Sequence, residues 1–211
     1  MNLVIGVDLD NTIICYDKLI KKLALQRALV SLKDKFTPEK LIAFRKKLLE
    51  DDKNFGDTQI ELYQDRIMEA KIYAGVKIFF RYCKNNQIPV FIVSHKSKIY
   101  SLKGKGKGRR GYFQRAAFSF LKSNGFFDKN RIGLTGKHVF FEESRRNKIK
   151  RIKKLQCTHF IDDFEEIFLH RFFPKNTQKM LFSPIVKKTN NNFLVFQSWK
   201  QIKHYVQEVY S

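Results

Sequence analysis

Acidic side chains follow two short apolar runs at distant points of the sequence. Asp8 and Asp10 come directly after the run Leu3–Val7, and the pair Asp162-Asp163 comes directly after His159–Ile161. Short runs rich in branched and aromatic residues are typical of buried parallel strands. Because ligands of parallel sheets bind beyond the carboxyl ends of the strands, we expect these four carboxylates to converge at one edge of one sheet.

Such a cluster of acids indicates a cation site and acid–base chemistry. Carboxylates this close repel one another, and they do not all ionise at neutral pH unless a cation lies between them. A hard divalent ion resolves the conflict, and Mg²⁺ typically binds a few carboxylates together with waters and a substrate phosphate. Asp8 and Asp10 are two residues apart, so their side chains can point the same way near a strand end. One acid can then attack while the other transfers a proton.

The elements that must position these side chains alternate between strands and helices. Ser94 directly follows a long apolar run and therefore joins the acids at the same edge. The alternation predicts an α/β fold with a Rossmann-like, mostly parallel sheet and helices on both faces. The further predicted strands are Ile88–Val93, Val139–Phe141, Met180–Phe182 and Phe193–Phe196.

A basic helix over Arg145–Leu155 precedes the strand that leads to Asp162. A lysine from this helix is expected to reach the acids. Lys148 is preferred because Ile152 and Leu155 are assigned to an opposite, buried stripe. The alternatives that remain open are Lys150, Lys153 and Lys154.

Residues 15–74 differ in character from the rest of the chain. Leucines at helical spacing alternate with lysines, and Thr37 followed by a proline is a typical helix start. A polar break over Asp51–Asp57 precedes another helical stretch around Ile60–Ala70. The sequence therefore predicts a catalytic core over 1–14 and 75–211, interrupted by a small all-helical insert over 15–74.

Four segments, in order, resemble the four motifs of the haloacid dehalogenase-like hydrolase superfamily. They are VDLDNTI, the strand ending in Ser94, the helix-borne lysine and FIDD. The first fits the superfamily's D-x-D-x-T form closely, and the insert lies where that superfamily places a cap domain. An acid at the position of Asp10 is what the superfamily's phosphatases have. The resemblance therefore implies phosphoester hydrolysis rather than dehalogenation.

The resemblance also implies a role for each matched residue. Asp8 would be the nucleophile that forms an aspartyl-phosphate. Asp10 would protonate the leaving oxygen and later activate water. Ser94 would bind a phosphoryl oxygen, Thr12 would fix the loop at the phosphate site, and Lys148 would neutralise charge shared by Asp8 and the phosphoryl group.

The implied cofactor is Mg²⁺, acting as a charge clamp and template. Its ligands would be Asp8, the backbone carbonyl of Asp10 and the final acidic pair. Within that pair, Asp163 is expected to meet the metal directly, with Asp162 in support.

The charge of the chain leaves the partner open. In 211 residues, 42 lysines and arginines against 20 acids give a net charge of +22. Such a field attracts polyanions, but a biased composition explains it as well. A small phosphorylated substrate is the favoured partner; a polynucleotide-end phosphatase and a non-enzymatic binding protein are the alternatives. The basic, glycine-rich segment Lys103–Arg110 is either a phosphate-binding loop or a solvated one.

The cysteine and hydropathy patterns indicate the cellular compartment of the protein. The three cysteines are scattered and form no C-x-x-C pair, which excludes a disulfide scaffold. No apolar run approaches the length of a bilayer span, and Asp8 and Asp10 lie where a signal peptide would need apolar residues. We therefore expect a cytoplasmic protein without a membrane partner.

Overall fold

The computed structural model describes residues 3–28, 30–31, 33, 37, 39–40, 43, 55–98, 100–101, 110–185 and 193–210. The chain divides into two compact units. The first comprises Met1–Ile14, Ile72–Lys96 and Leu121–Ser211, and the second comprises Cys15–Lys71 and Ser97–Phe120. Relative to the predicted insert over 15–74, residues 72–74 group with the first unit and residues 97–120 group with the second.

The strands are short, and most coincide with the apolar runs of the sequence. In chain order they are β1 (Ile5–Val7), β2 (Ile14–Cys15), β3 (Lys71–Ile72), β4 (Val90–His95), β5 (Tyr100–Ser101), β6 (Arg110–Gly111), β7 (Val139–Glu142), β8 (His159–Asp162), β9 (Gln178–Phe182) and β10 (Leu194–Phe196).

Most α-helices of the described residues bury apolar side chains. The α-helices are α1 (Asp17–Gln26), α2 (Phe55–Ile60), α3 (Val76–Asn85), α4 (Phe113–Ser123), α5 (Arg145–Lys154), α6 (Glu165–Leu169) and α7 (Trp199–Tyr210). A π-helical turn, Glu61–Asp65, and a 3₁₀ turn, Ile67–Glu69, follow α2 directly. A second 3₁₀ turn, Gly136–His138, precedes β7.

Six strands of the first unit form one sheet in the order β10-β9-β8-β1-β4-β7. All of its pairings are parallel, and Val7 of β1 lies opposite Ile92 of β4 and Ile161 of β8. The predicted α/β fold with a mostly parallel sheet is confirmed. Because β1 lies between β8 and β4, the residues that follow these three strands are neighbours at one edge of the sheet.

Close packing around β1 depends on a glycine. A Cβ at Gly6 would lie 2.4 Å from the ring of its register partner Phe160, so a larger residue does not fit there without displacing the ring. Phe160 belongs to a buried cluster with Ile149 and Ile152 of α5. Burial of these side chains fixes α5 against the sheet, and with it the residues that α5 presents to the sheet edge.

The second unit is held by an ion-pair network and an aromatic cluster. Arg27 donates to the hydroxyl of Thr58 and to the carboxylate of Glu61, which also pairs with Arg66. Tyr63 packs edge-on against Phe113, with ring centroids 6.1 Å apart. The antiparallel pair β5–β6 adds strands to this unit, whose other described residues are mostly helical.

One sequence prediction for this region has a definite outcome. The polar break predicted over Asp51–Asp57 is wrong at its end, because α2 begins at Phe55; three acids and a lysine in that stretch suggested a loop, but helical spacing resumes there. The predicted helix that starts at Thr37 and the basic segment Lys103–Arg110 lie almost wholly outside the described residues.

Among the described residues, no helix is long and apolar enough to cross a bilayer; α7, for example, has 12 residues, whereas a span needs about 20. Cys15, Cys83 and Cys157 are all free.

Candidate active site

The carboxylates of three aspartates meet at the carboxyl ends of β1 and β8. The backbone N–H of Asp8 donates to the carbonyl of Ile161 at 2.9 Å, which continues the parallel register one residue beyond β1. Asp8 thereby lies beside Asp162, and Asp163 follows. Oxygen atoms of Asp8, Asp162 and Asp163 all lie within 4.8 Å of one another. Three of the four carboxylates expected to converge therefore lie together, and Asp10 is not part of this group.

One lysine bridges two of these acids. The Nζ of Lys148 lies 2.6 Å from Oδ1 of Asp8 and 2.7 Å from Oδ2 of Asp162, and its side chain is only 3% exposed. Lys148 shares the buried face of α5 with Ile149 and Ile152, so the prediction that Ile152 occupies the opposite stripe is wrong: residues four apart lie on the same face. The three alternative lysines, Lys150, Lys153 and Lys154, are exposed.

The two acids after β8 have different surroundings. Asp162 is buried, with Oδ2 bonded to Lys148 and Oδ1 accepting the backbone N–H of Phe164 at 2.9 Å. Asp163 contacts Thr12, whose hydroxyl accepts the Asp163 N–H at 3.1 Å and donates to its carboxylate at 3.4 Å. Both oxygens of Asp162 are thus engaged within the protein, while Asp163 is tied to the loop after β1.

The loop after β1 is fixed from both sides. Thr12 is fully buried, and besides its contact with Asp163 its carbonyl accepts the indole N–H of Trp199 at 3.0 Å. Asn11, just before it, has φ 58°, a left-handed conformation that asparagine tolerates better than most residues. The loop that carries Asp8 and Asp10 is therefore anchored to both the β8 loop and α7.

A second buried lysine lies beside Asp10, and the sequence analysis did not identify it. The Nζ of Lys96 lies 2.7 Å from Oδ2 of Asp10; the lysine side chain is 3% exposed and the aspartate side chain 19%. Lys96 follows β4, and its backbone N–H extends the pairing of β4 with β7 by donating to Glu142 at 2.8 Å. Its only sequence signal is its place two residues after Ser94, which 42 basic residues obscure.

Ser94 and His95 complete the carboxyl end of β4. Ser94 is 1% exposed and lies next to the end of β1 in the register of the sheet. The Nε2–H of His95 donates to the carbonyl of Glu143 at 3.3 Å. Burial lowers the pKa of His95 below its ordinary 6.5, and neighbouring cations add to this shift while the bond to Glu143 opposes it. The imidazole is therefore neutral at physiological pH.

The pKa of Asp8 is raised by its surroundings. Burial is the largest cause, the negative charges of Asp162 and Asp10 add to it, and Lys148 opposes it; together they move the pKa from 3.8 to about 7. Burial also disfavours the charged form of Lys148, but the two carboxylates that it contacts outweigh this and raise its pKa. The ionised form of Asp8 is therefore disfavoured, chiefly because the carboxylate is buried.

This shift predicts a pH-dependent stability without divalent cations. The unfolded chain releases the Asp8 proton near pH 4 and the folded chain near pH 7, so the stabilising contribution is complete below about pH 4 and is lost as the pH rises through about 7. We expect Asp8→Asn, which cannot ionise, to gain stability relative to the wild type between about pH 5 and 8, on the order of 2 kcal/mol. Urea unfolding of both proteins in chelator, at several pH values, measures the difference in their free energies of unfolding. A difference that does not change with pH would contradict the raised pKa of Asp8.

The donor set fits a hard divalent cation. Carboxylate oxygens are the ligands that Mg²⁺ prefers, and three of them lie within 4.8 Å of one another. A divalent cation would favour the ionised form of Asp8, which burial and the neighbouring carboxylates disfavour. Asp8, Asp162 and Asp163 each offer an oxygen to such a cation, and the oxygens of Asp162 also accept hydrogen bonds from Lys148 and Phe164.

Comparison with known proteins finds similarity in structure alone. No protein-family model matches the sequence, and no curated protein matches it. Solved structures match it over nearly its whole length. One is described as a predicted phosphatase from Clostridium acetobutylicum, with 15% identity, a TM-score of 0.60 and 99% of each chain covered. The chain has the haloacid dehalogenase-like fold.

Other proteins with the haloacid dehalogenase-like fold are similar to the same extent. The hydrolase YfnB from Bacillus subtilis, solved bound to magnesium, is 12% identical with a TM-score of 0.56, covering 97% of this chain and 98% of its own. A hydrolase of the haloacid dehalogenase-like family from Deinococcus radiodurans R1, solved with bound phosphate and sodium, is 12% identical with a TM-score of 0.56. The match covers 97% of this chain and 95% of that protein. The fold expected from the four motifs is confirmed.

Proposed function

We propose that this chain is a Mg²⁺-dependent phosphomonoester hydrolase that works through an aspartyl-phosphate on Asp8. The observation that carries the proposal is the meeting of Asp8, Asp162 and Asp163 within 4.8 Å, with Lys148 bonded to the first two. A phosphoryl group brings negative charge to such a site, and a lysine and a divalent cation compensate that charge. The haloacid dehalogenase-like fold, which hydrolases and phosphatases share, supports the same reaction class.

The reaction would take place in two steps. In the first, a carboxylate oxygen of Asp8 attacks phosphorus, the bond to the ester oxygen breaks, and Asp10 gives that oxygen a proton. In the second, Asp10 takes a proton from water, the water oxygen attacks phosphorus, and the Asp8 carboxylate leaves with release of inorganic phosphate. Each step forms one bond to phosphorus and breaks one, and Asp10 ends in its starting state.

The remaining residues would position the reacting groups or compensate their charge. Lys148 would hold the Asp8 carboxylate and share the charge of the transferred group. Ser94, at the neighbouring strand end, would donate to a phosphoryl oxygen. Mg²⁺, bound by Asp8, Asp163 and the Asp10 carbonyl, would supply charge compensation and a fixed template for the phosphate. Thr12 would act on the phosphate site through Asp163, since its hydroxyl is bonded to that residue.

A phosphate-release assay tests the proposal. The purified chain would be incubated with sugar phosphates, nucleotides and 3′- or 5′-phosphorylated oligonucleotides, with Mg²⁺ and separately with excess chelator. We expect phosphate release from at least one class, lost on chelation and restored by added Mg²⁺. Equal phosphate release with Mg²⁺ and with chelator would contradict the proposed function, and so would the absence of release from every substrate class.

We further propose that Lys96 is a positioning residue that holds the Asp10 carboxylate. The Nζ of Lys96 lies 2.7 Å from Oδ2 of Asp10, and the lysine is buried. Without the ammonium group, Asp10 can turn towards water, and a misplacement of about 1 Å costs on the order of 10²-fold in rate. We expect Lys96→Met to lower kcat by about 10²-fold with little change in KM, and Lys96→Arg to restore part of the loss. A rise in KM alone, or no difference between the two variants, would argue for a merely structural lysine.

The cellular setting is also part of the proposal. Free thiols at Cys15, Cys83 and Cys157 suit a reducing cytoplasm. Burial raises the pKa of the Cys83 and Cys157 thiols to about 12, which keeps both in the unreactive protonated form. The partner would be a phosphorylated substrate rather than a membrane.

A further inference from the structure

Three arginines and two phenylalanines form a surface that the proposed chemistry does not use. The guanidinium carbon of Arg145 lies 4.5 Å from the ring centroid of Phe164. Those of Arg146 and Arg171 lie 5.7 Å and 4.6 Å from the ring centroid of Phe172. All three arginines are exposed, and half of the Phe172 surface is exposed. We call these five residues the arginine–phenylalanine surface.

This surface begins at the candidate active site. Phe164 directly follows Asp163, and its backbone N–H donates to Asp162. Arg145 opens α5, one turn before Lys148, and its charge contributes to the lowered pKa of His95. A ligand chain that ends at the carboxylate cluster would therefore meet the surface first at Arg145 and Phe164.

The three arginines of the surface form no ion pair within the described residues. Arg27, Arg66, Arg131 and Arg151 each pair with a carboxylate, whereas in the described part of the chain Arg145, Arg146 and Arg171 form no such pair. The first turn of α5 also has no acid, although the helix dipole favours negative charge there. An anionic ligand would compensate both the three guanidinium groups and this helix end.

We infer that the arginine–phenylalanine surface binds single-stranded nucleic acid, so that the phosphomonoester substrate is the phosphorylated end of a polynucleotide; this inference rests on the proposed function. Single strands are bound by cations that contact the backbone phosphates and by planar side chains on which bases stack. The surface offers both, because the guanidinium groups and the phenyl rings are planar and adjacent. An acidic peptide would use the charges but has no bases to stack on the rings.

Oligonucleotide binding tests this inference independently of turnover. The Asp8→Asn protein, which would not consume the ligand, is titrated into a fluorescent 5′-phosphorylated oligonucleotide of about 12 nucleotides, and into a 3′-phosphorylated one, at several salt concentrations. On that background, a triple Arg145→Gln, Arg146→Gln, Arg171→Gln variant is compared with a triple Lys150→Gln, Lys153→Gln, Lys154→Gln variant. Both triple variants remove three exposed positive charges. The three lysines and two of the three arginines lie on α5, so the variants differ mainly in which part of the surface they change.

The inference predicts different results for the two triple variants. Because each phosphate contact on a single strand contributes about 0.7 to the slope of log K against log salt, the arginine variant should lower that slope by about 2 and the affinity by at least about tenfold. The lysine variant should change both much less. Phe172→Leu, which removes a ring and no charge, should weaken binding about tenfold and leave the slope unchanged.

Three outcomes would overturn the inference. They are absence of oligonucleotide binding, equal losses in the two triple variants with no effect of Phe172→Leu, and preferential binding to vesicles of anionic phospholipid that the arginine variant abolishes. Turnover of small phosphomonoesters by the unsubstituted protein is measured alongside. If that turnover is present while oligonucleotide binding is absent, only the inference fails; if binding follows the prediction without any turnover, the proposed function fails.

Discussion

Replacement of Asp8 by asparagine should abolish phosphomonoester turnover while the fold is retained. The amide keeps the shape of the side chain and can still accept the hydrogen bond from Lys148, but it is not a nucleophile. Removal of an enzyme nucleophile costs several orders of magnitude, so we expect kcat to fall by at least about 10⁴-fold. Phosphate release with Mg²⁺ measures the effect on whichever substrate class the wild type cleaves.

A matched control separates loss of the nucleophile from loss of structure. Asp17, in the first turn of α1, lies outside the acidic cluster, and Asp17→Asn makes the same chemical change in the second unit. It should leave kcat within about twofold of the wild type. Both variants should unfold cooperatively in urea. Turnover by Asp8→Asn at more than about 1% of the wild-type rate would show that Asp8 is not the nucleophile.

Replacement of Lys148 by methionine should lower the free energy of unfolding more than any other single substitution proposed at the candidate site. Lys148 is the bridge between Asp8 and Asp162, and all three side chains are almost fully buried. Removal of one partner from a buried ion pair leaves uncompensated charge and costs about 3–5 kcal/mol. We expect Lys148→Met to lower the free energy of unfolding by about 3 kcal/mol near pH 8 in chelator, as measured by urea denaturation.

The control for this variant lies on the same helix. Lys150 is exposed, so Lys150→Met should change stability by no more than about 0.5 kcal/mol. The Lys148→Met deficit should also shrink towards pH 5, since protonation of Asp8, whose pKa is about 7, removes part of the repulsion. Equal stabilities of the two variants would indicate that Lys148 does not compensate the carboxylates.

Most of the sheet could be predicted from the sequence because its strands are apolar, with β1 and β8 buried throughout and β7 and β10 half-buried. A strand of this kind is a continuous apolar run, so each of the six runs overlaps an observed strand of the sheet. The convergence of Asp8 and Asp162 follows from the same rule, since residues after neighbouring parallel strands share one edge. The end of β4 was less clear, because Ser94 and His95 are polar and still pair with β7.

The features that escaped prediction depend on contacts between distant segments. Lys96 is buried because Asp10, far away in the sequence, lies beside it; nothing local marks it among so many lysines. Lys148 was favoured for a wrong reason, since it shares a face with Ile152 instead of opposing it. The separate surroundings of Asp162 and Asp163 arise from Lys148 and Thr12, which no pattern in the FIDD segment reveals.

The bond between Trp199 and the loop after β1 has a practical consequence. Trp199 is the single tryptophan of the chain and is almost completely shielded from water. Its indole N–H is bonded to the carbonyl of Thr12, whose hydroxyl contacts Asp163. Emission excited selectively at the indole therefore originates two hydrogen bonds away from the acidic cluster, and we expect a spectrofluorometer to detect occupancy of that cluster as a change in this emission without any attached dye.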